Sequence, residues 1–169
     1  MYFTDSGPWG ETSIQNPRGS VFSITPDGQL LQPLAYECLA FPSGIALSHD
    51  ESMFYVCETM NNRVVRFVQK PTGVFHFAAF HQFSGGFLPT TIACDSNGYL
   101  FVGRADPVSG AARKEESLVS VLSPWSGKEV AEIRIPGSTV SGLAFDKEKK
   151  NLLVCEASTN TIYKLNIFE

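Results

Sequence analysis

Helical periodicity is missing from this sequence. Nowhere in its 169 residues do apolar side chains keep a 3.6-residue repeat over ten or more positions, which argues against any helix-built fold. Long apolar runs are missing as well. None approaches the roughly 18 to 20 residues a helix needs to cross a bilayer, and no charged-then-apolar leader precedes the first strand-like residues. Excess positive charge is absent: 13 Lys and Arg stand against 17 Asp and Glu, for a net charge of −4. No basic patch therefore offers itself to nucleic acid. Arg113-Lys114 and the lysines between 147 and 150 are interleaved with glutamates and read as solvated turns. The four cysteines, Cys38, Cys57, Cys94 and Cys155, form no C-x-x-C and have no His at metal-ligand spacing. They read as small buried hydrophobes in strands. Unpaired thiols, with no N-x-S/T sequon, point to a reducing compartment, so a cytoplasmic location is expected.

What is present is a repeat. Residues 42–67 read as three short strands, at 44–48, 53–58 and 63–68, joined by the polar turns 49–52 and 59–62. Echoes lie on both sides. Ile45-Ala46-Leu47-Ser48 matches Ile92-Ala93-Cys94-Asp95 and Leu143-Ala144-Phe145-Asp146. Tyr55-Val56-Cys57-Glu58 matches Tyr2-Phe3-Thr4-Asp5, Phe101-Val102-Gly103-Arg104 and Leu153-Val154-Cys155-Glu156. The intervals are 92 − 45 = 47 and 143 − 92 = 51 residues. Periods of roughly 40 to 50 residues with four short strands each are the signature of β-propeller blades. The fold class is therefore all-β, a propeller arc of three to four blades. Its single domain, 1–169, divides into blades at about 1–40, 41–87, 88–138 and 139–169. With strands labelled A to D from the axis outward, the chain supplies B-C-D, A-B-C-D, A-B-C-D and A-B-C, or 14 strands. Each blade is expected to bury both faces against its neighbours, so its strands carry nearly continuous apolar residues.

The spelling of the repeat resembles the senescence-marker-protein/gluconolactonase and strictosidine-synthase-like family of six-bladed propellers. The residues that carry the likeness are Tyr2-Phe3-Thr4-Asp5, Ser23-Ile24-Thr25-Pro26-Asp27-Gly28, Phe41-Pro42-Ser43-Gly44-Ile45-Ala46, and Leu88-Pro89 ahead of Ile92-Ala93-Cys94-Asp95-Ser96-Asn97-Gly98. Glu58-Thr59-Met60-Asn61-Asn62-Arg63-Val64 is similar to the turn of an NHL repeat. The resemblance implies the later blades of a six-bladed ring, with earlier blades before Met1 and the last blade ending after strand C at Phe168 and Glu169. It also implies exposed strand edges, which a second copy completing the ring would cover.

In an up-and-down blade the D-to-A and B-to-C connections emerge on one face, so the strand-B ends Asp5, Glu58, Arg104 and Glu156 are expected to point toward one mouth. Ser43, Thr90 with Thr91, and Thr139 are expected to rim it. Such a ring is a candidate small-molecule site, with Asp5, Ser43, Glu58, Thr90, Arg104 and Glu156 as substrate-binding residues. A carboxylate at a repeated position also has an ordinary structural role, accepting backbone N–H bonds at the B-C turn. Arg104 breaks the series and is a candidate to pair with a carboxylate or clamp an anion. The long loops 6–19 and 105–116 overhang the same mouth and carry Trp9, Arg18, Arg113 and Lys114. His49, His76 and His81 have no partner at a recognisable catalytic spacing.

In metal-dependent lactonases of the resembling family, an Asn and an Asp ligate a divalent cation at places that here hold Ser43 and Thr90. No metal ligand is assigned in this chain. A divalent cation is expected only if blades before Met1 supply its ligands. The glutamate base of the strictosidine-synthase branch has no counterpart between Thr139 and Gly142. Function is thus expected to be either small-molecule hydrolysis of a lactone or ester, by resemblance, or non-catalytic binding of a small ligand or protein at the mouth, in the manner of NHL propellers.

Overall fold

The computed structural model of the chain describes residues 1–107, 116–148 and 150–167. Its described residues form 14 strands and no helix. They build four antiparallel sheets that follow one another in the sequence. The first is β1 (Tyr2–Asp5), β2 (Gly19–Ile24) and β3 (Leu31–Leu39). The second is β4 (Pro42–Leu47), β5 (Met53–Glu58), β6 (Arg63–Gln69) and β7 (Phe75–Gln82). The third is β8 (Leu88–Cys94), β9 (Leu100–Ala105), β10 (Glu116–Leu122) and β11 (Glu129–Pro136). The fourth is β12 (Val140–Phe145), β13 (Asn151–Glu156) and β14 (Thr161–Asn166).

Strand alternation builds the core. In β5, Phe54 and Val56 face the first sheet and join Val21, Leu39 and Phe67 in one apolar cluster. Tyr55 and Cys57 point the other way and join Leu100, Val102 and Leu122. In β9, Phe101 turns to the fourth sheet and packs with Val119, Ile135, Leu152 and Val154. Successive side chains go to opposite faces, so a strand buried on both sides must be apolar throughout. Each fully buried aromatic or aliphatic side chain stabilises the stack by about 1.5–3 kcal/mol. Burial also pushes the Cys57 thiol up, so it stays protonated and acts as packing. The cysteines are all free thiols, as expected, but only Cys57 is buried: Cys94 and Cys155 are half-buried, and Cys38, on the outer strand β3, is exposed.

The leading strands meet along the inside of the arc, β4 against β8 and β8 against β12, and β1 packs against β4. There β1 sits where β5 and β9 sit in their sheets, as the strand-B position requires: it touches the next sheet's leading strand as they do. At the β4–β8 crossing a side chain has no room. A Cβ on Gly44 would lie 2.5 Å from the Thr91 Cα and 2.9 Å from the Ile92 N.

The leading strands start earlier than their sequence suggests. Pro42 opens β4 and Pro89 is the second residue of β8, at pairing irregularities between Pro42 and Ile45 and between Pro89 and Thr91. An inner edge strand with a bulge loses nothing when one residue lacks an N–H. The same irregularity, between Val140 and Gly142, opens β12. No helix among the described residues is long and apolar enough to cross a membrane.

Candidate functional site

The strand-B ends and the connections into the leading strands do gather on one face. Pro42 pairs with Glu58, Pro89 with Arg104 and Val140 with Glu156. This register places Ser43, Thr90 and Ser141 level with one another, so Ser141, rather than Thr139, is the third rim position.

Glu58 and Glu156 lie behind the rim, with 1% and 2% of their surface exposed. Glu58 Oε1 accepts from the Ala40 backbone N (2.8 Å) and Asn61 Nδ2 (2.6 Å), and Oε2 accepts from Arg63 Nε (2.5 Å). Glu156 Oε1 accepts from the backbone N of Thr139 (2.9 Å) and Ser158 (3.0 Å) and from Ser158 Oγ (2.6 Å). Its Oε2 accepts from the Thr159 N (2.7 Å) and Oγ1 (2.5 Å). Burial opposes the Glu156 charge, but the Ser158 and Thr159 hydroxyls, with the Thr139 and Thr159 amides, outweigh it and hold the carboxyl at about 2. Each glutamate thus pins the connection into a leading strand to its own B-C turn. Asp5 is exposed and binds the Gly7 N at 2.9 Å, capping the first B-C loop.

Arg104 does the same work with reversed polarity. It is 4% exposed, and its guanidinium donates to the carbonyls of Phe87 (2.9 Å from Nη2, 3.3 Å from Nε) and Ser84 (3.2 Å) and to Ser120 Oγ (3.4 Å). Its Cζ lies 4.2 Å from the Phe83 ring centroid. Burial pulls its pKa down, while Glu129 and Glu132 pull it back up. Where the glutamates grip an N–H, Arg104 grips carbonyls, so the connection before β8 is fixed from the other side. Arg104→Met is expected to cost about 2 kcal/mol in urea unfolding, through the lost charged hydrogen bonds and the lost ring contact.

In front of these braces runs a line of hydroxyls from sheet to sheet. Thr4 Oγ1 donates to the Ser43 carbonyl (2.6 Å). Ser43 Oγ lies 2.7 Å from Thr59 Oγ1, and Thr59 Oγ1 donates to the Pro89 carbonyl (2.8 Å). Thr90 Oγ1 reaches the carbonyls of Val140 (2.5 Å) and Gly103 (3.0 Å). Each hydroxyl has one proton. Thr59 spends its proton on Pro89, so Ser43 is the donor in the Ser43–Thr59 contact. Ser43 and Thr90 are left with oxygen lone pairs and no proton to give. Thr59 was not singled out by the sequence, because Ala157 and Ala105 hold the matching places and no repeat marks it.

The first long loop is tied to this rim by Ser6 Oγ, which donates to the Pro42 carbonyl (2.8 Å), and by Trp9, edge-on to Phe41 at 5.7 Å. Arg18 pairs with Glu37 at 3.4 Å beside Asp5, in a cavity of about 360 Å³. In the second loop, Arg113 and Lys114 lie outside the described residues, as do Phe168 and Glu169 at the end of the last blade. His81 Nδ1 is 2.7 Å from the Gly127 carbonyl, and His49 lines a cavity at the other end of the strands.

A divalent cation is a poor match for these side chains. Among the described residues no three His, Cys, Asp or Glu gather where they could hold one. Ser43 and Thr90 are neutral and already bonded to the protein, and hard cations favour charged oxygens.

Blade-like sheets around an inner line of leading strands, with braced polar connections at one end, define part of a β-propeller. The profile of the SMP-30/Gluconolactonase/LRE-like region matches residues 1–158, and the chain belongs to that family. It is 33% identical over 106 residues to the lactonase drp35 of Staphylococcus aureus (strain MRSA252) and 31% identical over 106 residues to that of Staphylococcus haemolyticus. Each match covers 60% of this chain and 31% of the relative. The chain thus matches about a third of the length of these relatives. Among solved structures, a gluconolactonase of Xanthomonas campestris superposes with a TM-score of 0.75 at 25% identity, covering 98% of this chain and 52% of the other. Regucalcin of Agrobacterium tumefaciens, a calcium-binding protein, shares the fold with a TM-score of 0.72 at 20% identity, covering 89% and 52%.

Proposed function

We propose that this chain forms a substrate-binding part of the mouth of a lactonase-type propeller that acts on small hydroxylated lactones or esters. The observation that carries the reading is the proton count at the rim. Ser43 and Thr90 present acceptor oxygens along the inner edge, matched to the hydroxyl donors of a polyol lactone. The family membership and the lactonase relatives support the same reading. In the reaction, water adds to the lactone carbonyl, the ring C–O bond breaks, and a hydroxy acid is released with one proton at neutral pH. The described side chains bind and orient. Among the described side chains none at the mouth stands free as a base, so the acceleration expected of this chain comes from holding and orienting the lactone for attack by water. A purely non-catalytic role at the mouth is the weaker reading, since the curated relatives are lactonases.

The test is acid release from glucono-δ-lactone by the purified chain, with and without added calcium, zinc or manganese. Release above the uncatalysed rate is expected. Ser43→Ala should raise KM roughly fivefold with kcat little changed, the worth of one hydrogen bond of about 1 kcal/mol made equally in ground and transition states. A rate equal to the uncatalysed one under every cation removes the proposal.

A further inference from the structure

At the end of the strands opposite the rim, a cavity of about 410 Å³ lies between the second and third sheets. Its walls include Tyr55 and Arg66, paired across β5 and β6, and the turn that carries Trp125. We propose that this cavity binds a small aromatic carboxylate, independently of any chemistry at the mouth.

Two donors point to an anion. Arg66 is half-buried and makes no ion pair among the described residues; its Cζ rests 5.6 Å from the Phe80 ring centroid. A cation over a ring face keeps its in-plane N–H groups free for a planar acceptor. The Tyr55 side chain is buried, with 3% of the residue exposed, and its hydroxyl donates to the Met53 sulfur at 3.4 Å. A thioether is a weak acceptor, so a carboxylate oxygen would displace it readily. Asp50, the carboxylate of the lining, forms no ion pair with Arg66; its oxygens accept from Ser48 and Ser52.

The aromatic part follows from Trp125, which is 87% exposed on a turn whose backbone is held in place. Its turn is closed by the Gly127 N bonding the Ser123 carbonyl (2.9 Å) and the Ser123 N bonding the Lys128 carbonyl (2.8 Å). The turn is then clamped to the second sheet, because the Gly127 carbonyl can only accept and so must take the proton of His81 Nδ1. An indole and a guanidinium without an ion pair in the lining of one cavity suit a ring bearing one carboxylate.

The probe is 4-(trifluoromethyl)benzoate, followed by fluorine NMR against the purified chain. A ligand of this size should bind with Kd of about 1 mM or tighter. The neutral 4-(trifluoromethyl)benzamide should bind at least roughly tenfold more weakly, and Arg66→Met and Trp125→Ala should each weaken the benzoate by a similar factor. Ser43→Ala, at the opposite end, should leave it unchanged. If Arg66→Met does not fold, Arg66→Lys serves, keeping the charge but losing the planar fork, with an intermediate loss expected. Equal affinity for acid and amide, unchanged affinity in the Arg66 variant, or no saturable binding would each overturn the proposal.

Discussion

Exchanging Glu156 for glutamine is expected to destabilise the chain by about 3 kcal/mol at pH 7, and its melting temperature should fall by roughly 10 °C. The carboxylate is 2% exposed, and every polar group it touches is a donor: the amides of Thr139, Ser158 and Thr159 and the hydroxyls of Ser158 and Thr159. Glutamine puts an NH2 against donors on one side, leaving buried N–H groups without an acceptor. No shift of the backbone can relieve this cheaply. Gly137, at φ 101, is packed so close that its absent Cβ would lie 2.2 Å from the Glu156 Cδ.

The same carboxylate makes stability depend on acid. Its folded value of about 2 lies below the ordinary 4.5. The unfolded chain therefore binds the proton first as pH falls, and Glu156 contributes fully above about 4.5 and nothing below about 2. The stability difference between the native chain and Glu156→Gln, from denaturant melts at each pH, should be constant above pH 5 and shrink between pH 4.5 and 2. A difference independent of pH would show that the carboxylate is not the brace described. The exposed Asp50, also held at about 2 by its Ser48 and Ser52 bonds, is present in both proteins and cancels.

Gly44→Val should cost about 3 kcal/mol or more, for a different reason. The new side chain would run into the Thr91 and Ile92 backbone, where no rotamer can yield. The expected result is separation of the second and third sheets at the inner edge, read as faster hydrogen exchange in β4 and β8 than in β13 and β14. Uniform protection in all four sheets would refute the crossing. Because the Ser43–Thr59–Pro89 line spans the same seam, this substitution should also weaken any ligand held at the rim.

The strands of this fold could be read from the sequence because each one carries its own label. Met53–Glu58 has the bounds its apolar run and flanking turns suggest. The strand read at 44–48 begins two residues earlier, because a proline is tolerated at the start of an inner edge strand with a bulge. The candidate site was less legible. Glu58, Arg104 and Glu156 were placed at one end by counting strands, but whether they face a ligand or the protein depends on partners 15 to 20 residues away, such as Ala40, Ser84, Phe87 and Thr139.

By itself, then, the sequence determined the class, the repeat and the end of the strands at which the polar residues gather. These follow from period-2 burial and a period near 50 residues, which are local properties of the chain. The tertiary structure alone decided that the two glutamates and Arg104 are braces, that Ser43 and Thr90 offer acceptors without protons, and that Arg66 and Tyr55 share a cavity under Trp125. Hydrogen-bond satisfaction joins local turn groups to donors and acceptors on connections and neighbouring sheets, which the repeat spacing alone does not bring together.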